Sequence, residues 1–278
     1  MRNLKVIKTT IEVGLHKPFK FLHVTDSHVF RGDSDIWNSK DEFDIDYDGC
    51  TEDYFLKAIK YAKDNNIMIV HTGDLIDFHS QENFEFIHQV FTQDVDYIYA
   101  AGNHDFFDFR DILNGQEENA EYKKKQSAAI APYIKNDLSF YSRVIGGVNI
   151  VTMDDSYYQI SDEQTERLKA EAAKGYPILL CMHVPLYAPM LSDINSDIAY
   201  AVGAPEALLN TYPEDRKLQQ TPEEATVRAI EYIKSEPLIK ALITGHRHMN
   251  LEMNLDNGIT QYITHGSFAG YVREVVLI

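Results

Sequence analysis

Five short clusters punctuate the chain in a fixed order: Asp26-Ser27-His28, Gly73-Asp74-Leu75-Ile76-Asp77, Gly102-Asn103-His104-Asp105, a lone His183, and Gly245-His246-Arg247-His248. Each offers oxygen or imidazole donors where an apolar run stops. Carboxylate, amide and imidazole donors gathered this way suit borderline metal ions. In an extended segment residues i and i+2 share a side, so Asp26 and His28 can grip one ion together, and His246 and His248 can address one site. Gly73, Gly102 and Gly245 beside them suit tight turns and close backbone approach. The remaining histidines read differently. His23 and His71 lie inside strand patterns and read as core residues or neighbours of the site. His16, His79 and His88 read as exposed, and His265, in Thr264-His265-Gly266, reads equally as cleft lining or as packing.

Strands must deliver these clusters to one edge. Phe19 to Thr25 alternates as a strand and runs into the first cluster. Tyr54 to Lys63 carries Phe55, Ala58, Ile59 and Ala62 at helical spacing, and Ile67 to His71 forms the next strand. A helix around Phe84 to Phe91 leads to the strand Tyr97–Ala100. This rhythm predicts parallel βαβ units. Leu138–Val144 and Val148–Met153 flank Gly146-Gly147, a hairpin signal. Ser161 and Gln164 have capping-box spacing at the start of a helix reaching about Lys174. Strands return at Pro177–Met182, Leu238–Thr244, Ile259–Ile263 and Val272–Leu277. The expected fold class is α/β: a four-layer α-β-β-α sandwich of two mixed sheets packed face to face, flanked by helices, with ligands beyond the strand carboxyl ends. Residues 1–278 read as a single domain. Phe30–Cys50 (strongly acidic), Phe106–Lys135 and Leu186–Thr221 interrupt the sheet pattern, and are read as cleft walls or as solvated insertions.

Composition narrows the function. A chain of 278 residues buries a sufficient core without staples. The net charge of -17 disfavours a polyanionic partner, since nucleic-acid binders need a basic footprint. Two cysteines far apart, Cys50 and Cys181, give no disulfide framework. No apolar h-region opens the chain, and no apolar run reaches the ~18 residues of a membrane span. A cytoplasmic location is the expectation.

The order and wording of the clusters resemble the calcineurin-like metallophosphoesterases, over nearly the whole chain from about Phe19. The resemblance implies hydrolysis of a phosphate ester by two divalent or trivalent metal ions. Asp26, His28, Asp74 and His248 would hold one metal and Asp74, Asn103, His183 and His246 the other, with Asp74 bridging. Two Asp, one Asn and four His suit Mn, Fe or Zn. A metal-bridging hydroxide would attack phosphorus in line. His104 would face the leaving group as general acid or positive charge, with Asp77 hydrogen-bonded to it and keeping it protonated. Asp105 would support the same turn, and Asp154-Asp155-Ser156 looks like the stretch preceding the His183 strand.

Departures narrow the subfamily. Protein serine/threonine phosphatases carry Arg-Gly after the second aspartate and Glu after the G-N-H; Phe78-His79 and Asp105 stand there instead. Purple acid phosphatases use a tyrosine after the G-D, which Leu75-Ile76-Asp77 lacks. The first reading is therefore a small-molecule phosphoesterase, a phosphodiesterase ahead of a phosphomonoesterase. A nuclease of the same fold and a non-catalytic protein-binding scaffold are the alternatives. A scaffold would be expected to lose ligands, and none is missing. Expected substrate contacts are Asn103, Arg247 and His265. Arg31, Arg110 and Arg143 are further cations near the motifs, with a plain surface charge the first reading for these and for Arg247. Tyr157, Tyr158, Tyr187 and Trp37 are candidates for the rim or for packing. The oligomeric state is not legible.

Overall fold

The computed structural model describes residues 3–32, 51–93, 95–108, 111, 114–194 and 200–278, without side chains at 192–194. Trp37, Cys50, Arg110 and most of the acidic segment lie outside the described residues.

Two mixed sheets form the centre. The first holds β1 (Lys5–Ile11), β2 (Phe19–Val24), β3 (Met68–Thr72), β4 (Tyr97–Ala100) and β11 (Tyr271–Leu277), in the order β1-β11-β2-β3-β4. The second holds β5 (Phe140–Ile145), β6 (Val148–Met153), β7 (Ile178–Cys181), β8 (Ile239–Thr244), β9 (Leu251–Asn254) and β10 (Thr260–Ile263), in the order β5-β6-β7-β8-β10-β9. β2, β3 and β4 are parallel, as are β6, β7, β8 and β10. Strand polarity therefore brings all the cluster-bearing ends to one edge of each sheet.

Side-chain alternation explains the three apolar layers. On β7, Leu179 and Cys181 point between the sheets while Ile178 and Leu180 face the outer helices. On β3, Met68 and Val70 face the sheet interface and Ile69 faces α1 (Thr51–Asp64), where Phe55, Ala58, Ile59 and Ala62 pack. Both faces are covered, so the strands read as near-continuous apolar runs. On the opposite flank lie α4 (Asp162–Ala172) and α8 (Glu224–Ser235). Ser161 caps α4 as expected: its hydroxyl accepts from Gln164 N at 3.2 Å, and Gln164 Oε1 accepts from Ser161 N at 2.8 Å. The Gly146-Gly147 hairpin is formed, with φ of +61° and +91°.

Several details differ from the sequence reading. β1 and β9 were not anticipated, because both are edge strands. β1 carries exposed Lys5 and Lys8 on either side of half-buried Val6 and Ile7, and β9 is four residues long. The helix around Phe84 is α2 (Gln81–Ile87), continued by a π-helical turn, His88–Thr92. Leu186–Thr221 contains α5 (Pro189–Ile194), α6 (Glu206–Leu209) and α7 (Glu214–Gln220), and Phe106–Lys135 contains α3 (Ala120–Ile130). His79 is buried rather than exposed: its Nε2 bonds Asp105 O at 2.7 Å and its ring meets Phe84 edge-on. His88 is half-buried against Tyr133, whereas His16 is exposed. No helix among the described residues is long and apolar enough to cross a membrane.

Candidate metal centre

The loops leaving β2, β3 and β8 are not extended. Asp26, His28, Asp74, His246 and His248 all have φ between +44° and +64°, a conformation that costs energy for a non-glycine residue. Asp26 and His28 thus share a side because of this left-handed turn, not through strand alternation. Hydrogen bonds hold the strain in place. Asp26 N donates to Gly73 O (2.9 Å) and His28 N to Asp74 O (3.0 Å). His246 N donates to the Asp26 carboxylate (3.1 Å), tying the second sheet to the first. A Cβ on Gly245 would lie 1.9 Å from Thr25 Oγ1, and one on Gly102 would lie 2.2 Å from Asp74 Oδ1. The glycines are therefore required by close approach.

The side chains converge on adjacent sites. His183 Nε2 lies 3.2 Å from Asp74 Oδ2, 3.2 Å from Asn103 Oδ1 and 3.1 Å from His246 Nδ1. His248 Nε2 lies 3.2 Å from Asp26 Oδ1, and His28 Nε2 lies 3.7 Å from Asp74 Oδ2. Asp26, His28 and His248 form one group able to hold an ion, and Asp74, His183 and His246 another.

Partners behind the rings fix which nitrogen faces inward. His183 Nδ1 donates to Thr72 O (2.7 Å), His28 Nδ1 bonds Asp77 Oδ1 (2.8 Å), and His246 Nε2 bonds the Tyr158 hydroxyl (3.0 Å). Asp155, fully buried, accepts from His183 N (3.0 Å) and Val184 N (3.1 Å), setting the backbone after β7. Asp105 accepts from the backbone N–H groups of Asp74, Leu75, Ile76 and Gly102, locking the two turns together. Tyr158 and Thr72 were not assigned these supporting roles from sequence. The only signal for Tyr158 was its place just after Asp154-Asp155-Ser156.

Protonation fits metal ligation. Burial opposes ionisation of Asp26 and Asp74, but His248 beside the first and His183 and His104 beside the second hold both well below the usual carboxylate range. Burial keeps His28 and His246 neutral at ordinary pH. Burial also pulls His183 down, yet Asp74 and Asp26 outweigh it and raise it to about 10, the mark of a negative potential that a cation would meet. The residues present therefore fit two metal ions.

Beside the cluster opens a cavity of about 210 Å³, bordered by Asn103, His104, Phe107, Glu118, Tyr157 and Arg216. His104 Nδ1 lies 3.1 Å from Asp77 Oδ1, and His104 N donates to Asp74 Oδ1 at 2.9 Å. Burial lowers the His104 pKa, but Asp74 and Asp77 override it and raise it well above the ordinary value. Of the three expected substrate contacts, Asn103 borders this cavity. Arg247 is mostly buried near Tyr212, Tyr158 and Tyr200. His265 stacks on Tyr271 with ring centroids 4.5 Å apart, and burial pushes it down to about 4. Arg31 is paired with Glu52 and Arg143 with Asp96. Tyr157 borders the cavity, whereas Tyr187 packs on the outer core of the second sheet.

Residues 19–250 match the calcineurin-like phosphoesterase family, and the chain belongs to it. No curated protein matches it in sequence. Among solved structures, it is similar to a dimetal phosphatase from Danio rerio, at 14% identity and a TM-score of 0.54 over 90% of this chain and 88% of that one. A phosphopantetheinyl hydrolase from Mycobacterium tuberculosis is 11% identical, with a TM-score of 0.45 and 95% of each chain covered. A 5'-nucleotidase from Candida albicans is 12% identical with a TM-score of 0.39, and this chain spans about half of its length. The family uses a dinuclear metal centre, which the Asp and His clusters fit, and the chain is a metal-dependent phosphoesterase.

Proposed function

We propose that this phosphoesterase acts on a small-molecule phosphate ester, a diester ahead of a monoester. In this reading the chain is one catalytic domain. Asp26, His28, Asp74 and His248 hold one ion and Asp74, Asn103, His183 and His246 the other, as Mn, Fe or Zn. The observation that carries the proposal is the convergence of these seven donors, from five strand ends, beside a cavity bordered by His104. When bound, the ions supply Lewis acidity at the phosphoryl oxygens and a water of lowered pKa.

The chain's own residues do the rest. Asp77 fixes the His104 ring through Nδ1, which leaves Nε2 to face the leaving oxygen. The neighbouring carboxylates favour the imidazolium, so His104 can donate a proton or offset charge as the ester bond breaks. Asn103 borders the same space and orients the ester. Long-range charge supports the diester: a net charge of -17 penalises the approach of a dianionic phosphate more than that of a monoanionic one. A cytoplasmic location is part of the reading, supported by the buried free thiol of Cys181.

The test is metal-dependent hydrolysis of bis(p-nitrophenyl) phosphate beside p-nitrophenyl phosphate, with metal content measured on the same samples. His104→Ala is expected to lower kcat by roughly 10²–10⁴-fold with both ions retained. A wild-type protein that holds two ions yet turns over neither ester would overturn the reading.

A further inference from the structure

Five of the seven described arginines of this acidic chain hold a carboxylate. Arg31 pairs with Glu52, Arg143 with Asp96, Arg167 with Asp137, Arg228 with Asp162 and Arg273 with Glu252. Arg216 does not. It projects from α7, and its Nη1 donates to Gln219 Oε1 at 3.0 Å while its guanidinium lies 5.9 Å from the Tyr200 ring centroid. Among the described residues, no carboxylate lies within ion-pair distance of it. Tyr200 in turn lies 6.0 Å, centroid to centroid, from the ring of His246, so the guanidinium stands one side chain behind the metal cluster. It also borders the cavity that holds His104, with Gln219 beside it.

A guanidinium with no counterion among the described residues of so acidic a chain, braced by a neutral amide and an aromatic ring, is arranged to meet an anion from outside the chain. The scissile phosphate is already served by the metal cluster and His104. The cavity of about 210 Å³ lies below the usual range for drug-sized ligands, so its contents are small. Phe107 and Tyr157 supply aromatic wall to the same cavity.

We propose that Arg216 is a specificity residue that binds a second anionic group, a carboxylate or a further phosphate, on the leaving-group side of a small phosphate ester. This rests on the phosphoesterase reading above and adds the chemical class of the leaving group. Arg216 and His104 then grip opposite ends of the same alcohol, and the cavity of about 210 Å³ that both border limits its length to a few bonds.

The test compares phosphoglycolate with hydroxyethyl phosphate, which differ by a carboxylate against a hydroxymethyl group, each as the monoester and as its methyl diester. The ratio of kcat/KM between the charged and neutral member is the readout, with calorimetric binding to the metal-loaded protein as a parallel ratio. The wild type is expected to favour the charged member by roughly 10-fold or more, as for a charge-assisted contact. Arg216→Ala should abolish the preference and Arg216→Lys should keep part of it, both acting mainly through KM. A wild type without preference, or a preference that survives in Arg216→Ala, overturns the proposal. If no ester is turned over, the catalytic reading fails, and the binding ratio still decides whether Arg216 selects the second anion.

Discussion

Tyr158 ties the site to its surroundings through one hydroxyl. Its backbone lies in the left-handed region at φ +62°, its ring is buried, and its oxygen holds His246 Nε2 at 3.0 Å. This contact presents Nδ1 to the cluster, where it meets His183 Nε2 at 3.1 Å. Partners of ligand histidines are worth about 10–100-fold in metal affinity. Tyr158→Phe keeps the ring and removes only that hydrogen bond. It is expected to weaken the ion bound by His246 by roughly 10-fold or more, with little change in thermal stability without metal. Metal competition against a fluorescent chelator measures this, and unchanged affinity would show that the hydroxyl does not orient His246.

At the level of the elements, β2 and β3 carry two histidines that read from sequence as core or neighbours of the site, and the structure makes them internal struts. His23 bridges Thr264 Oγ1 and Thr72 Oγ1, both at 2.8 Å, across the two sheets. His71 accepts from Gly73 N at 3.2 Å and bonds Ser27 Oγ at 2.9 Å, bracing the turns after β2 and β3. Burial pushes His71 down to about 3, so it folds as the neutral imidazole. The unfolded chain takes up this proton near 6.5, and the folded chain only near 3. In between, the unfolded state binds more protons. The His71 contribution is therefore fully present above 6.5 and is lost as pH falls, at up to about 1.4 kcal/mol per pH unit. Urea unfolding across that window, at fixed metal concentration, should show a shallower pH dependence for His71→Gln than for the wild type. Parallel curves would contradict the neutral buried state.

At the scale of the whole molecule, Arg273 is the largest fully buried side chain among the described residues, and it joins the sheets. From β11 it donates to Thr264 Oγ1, Thr9 Oγ1 and Ile263 O, and it pairs with Glu252 of β9 at 2.5 Å. The arginine is buried while its partner is half exposed, so the two ends are unequal. Removing the carboxylate strands a buried cation, a loss that reaches about 3–5 kcal/mol where both partners are buried. Glu252→Gln is expected to destabilise by about 1–3 kcal/mol, less than that limit because water reaches Glu252. Arg273→Met with Glu252→Gln should recover part of this loss in equilibrium unfolding. A double variant less stable than Glu252→Gln alone would show that packing around the guanidinium outweighs its charge.

The sequence by itself determined which side chains could meet. The five clusters closing apolar runs, with Asp74, His183 and His246 among them, announced a site because strand ends deliver polar residues together only when the strands run parallel. It also determined two sheets covered on both faces, since Ile178-Leu179-Leu180-Cys181 has no polar side to offer water. The tertiary structure decided how the donors meet. Left-handed turns at Asp26, His28, Asp74, His246 and His248 depend on hydrogen bonds from distant segments, and no local spacing encodes them. It also decided that His79 is buried, that His265 stacks on Tyr271, and that Arg216 borders the cavity with no counterion among the described residues. Each of these is set by how the chain folds back on itself, since burial and charge balance depend on which segments pack together and not on the residues adjacent in sequence.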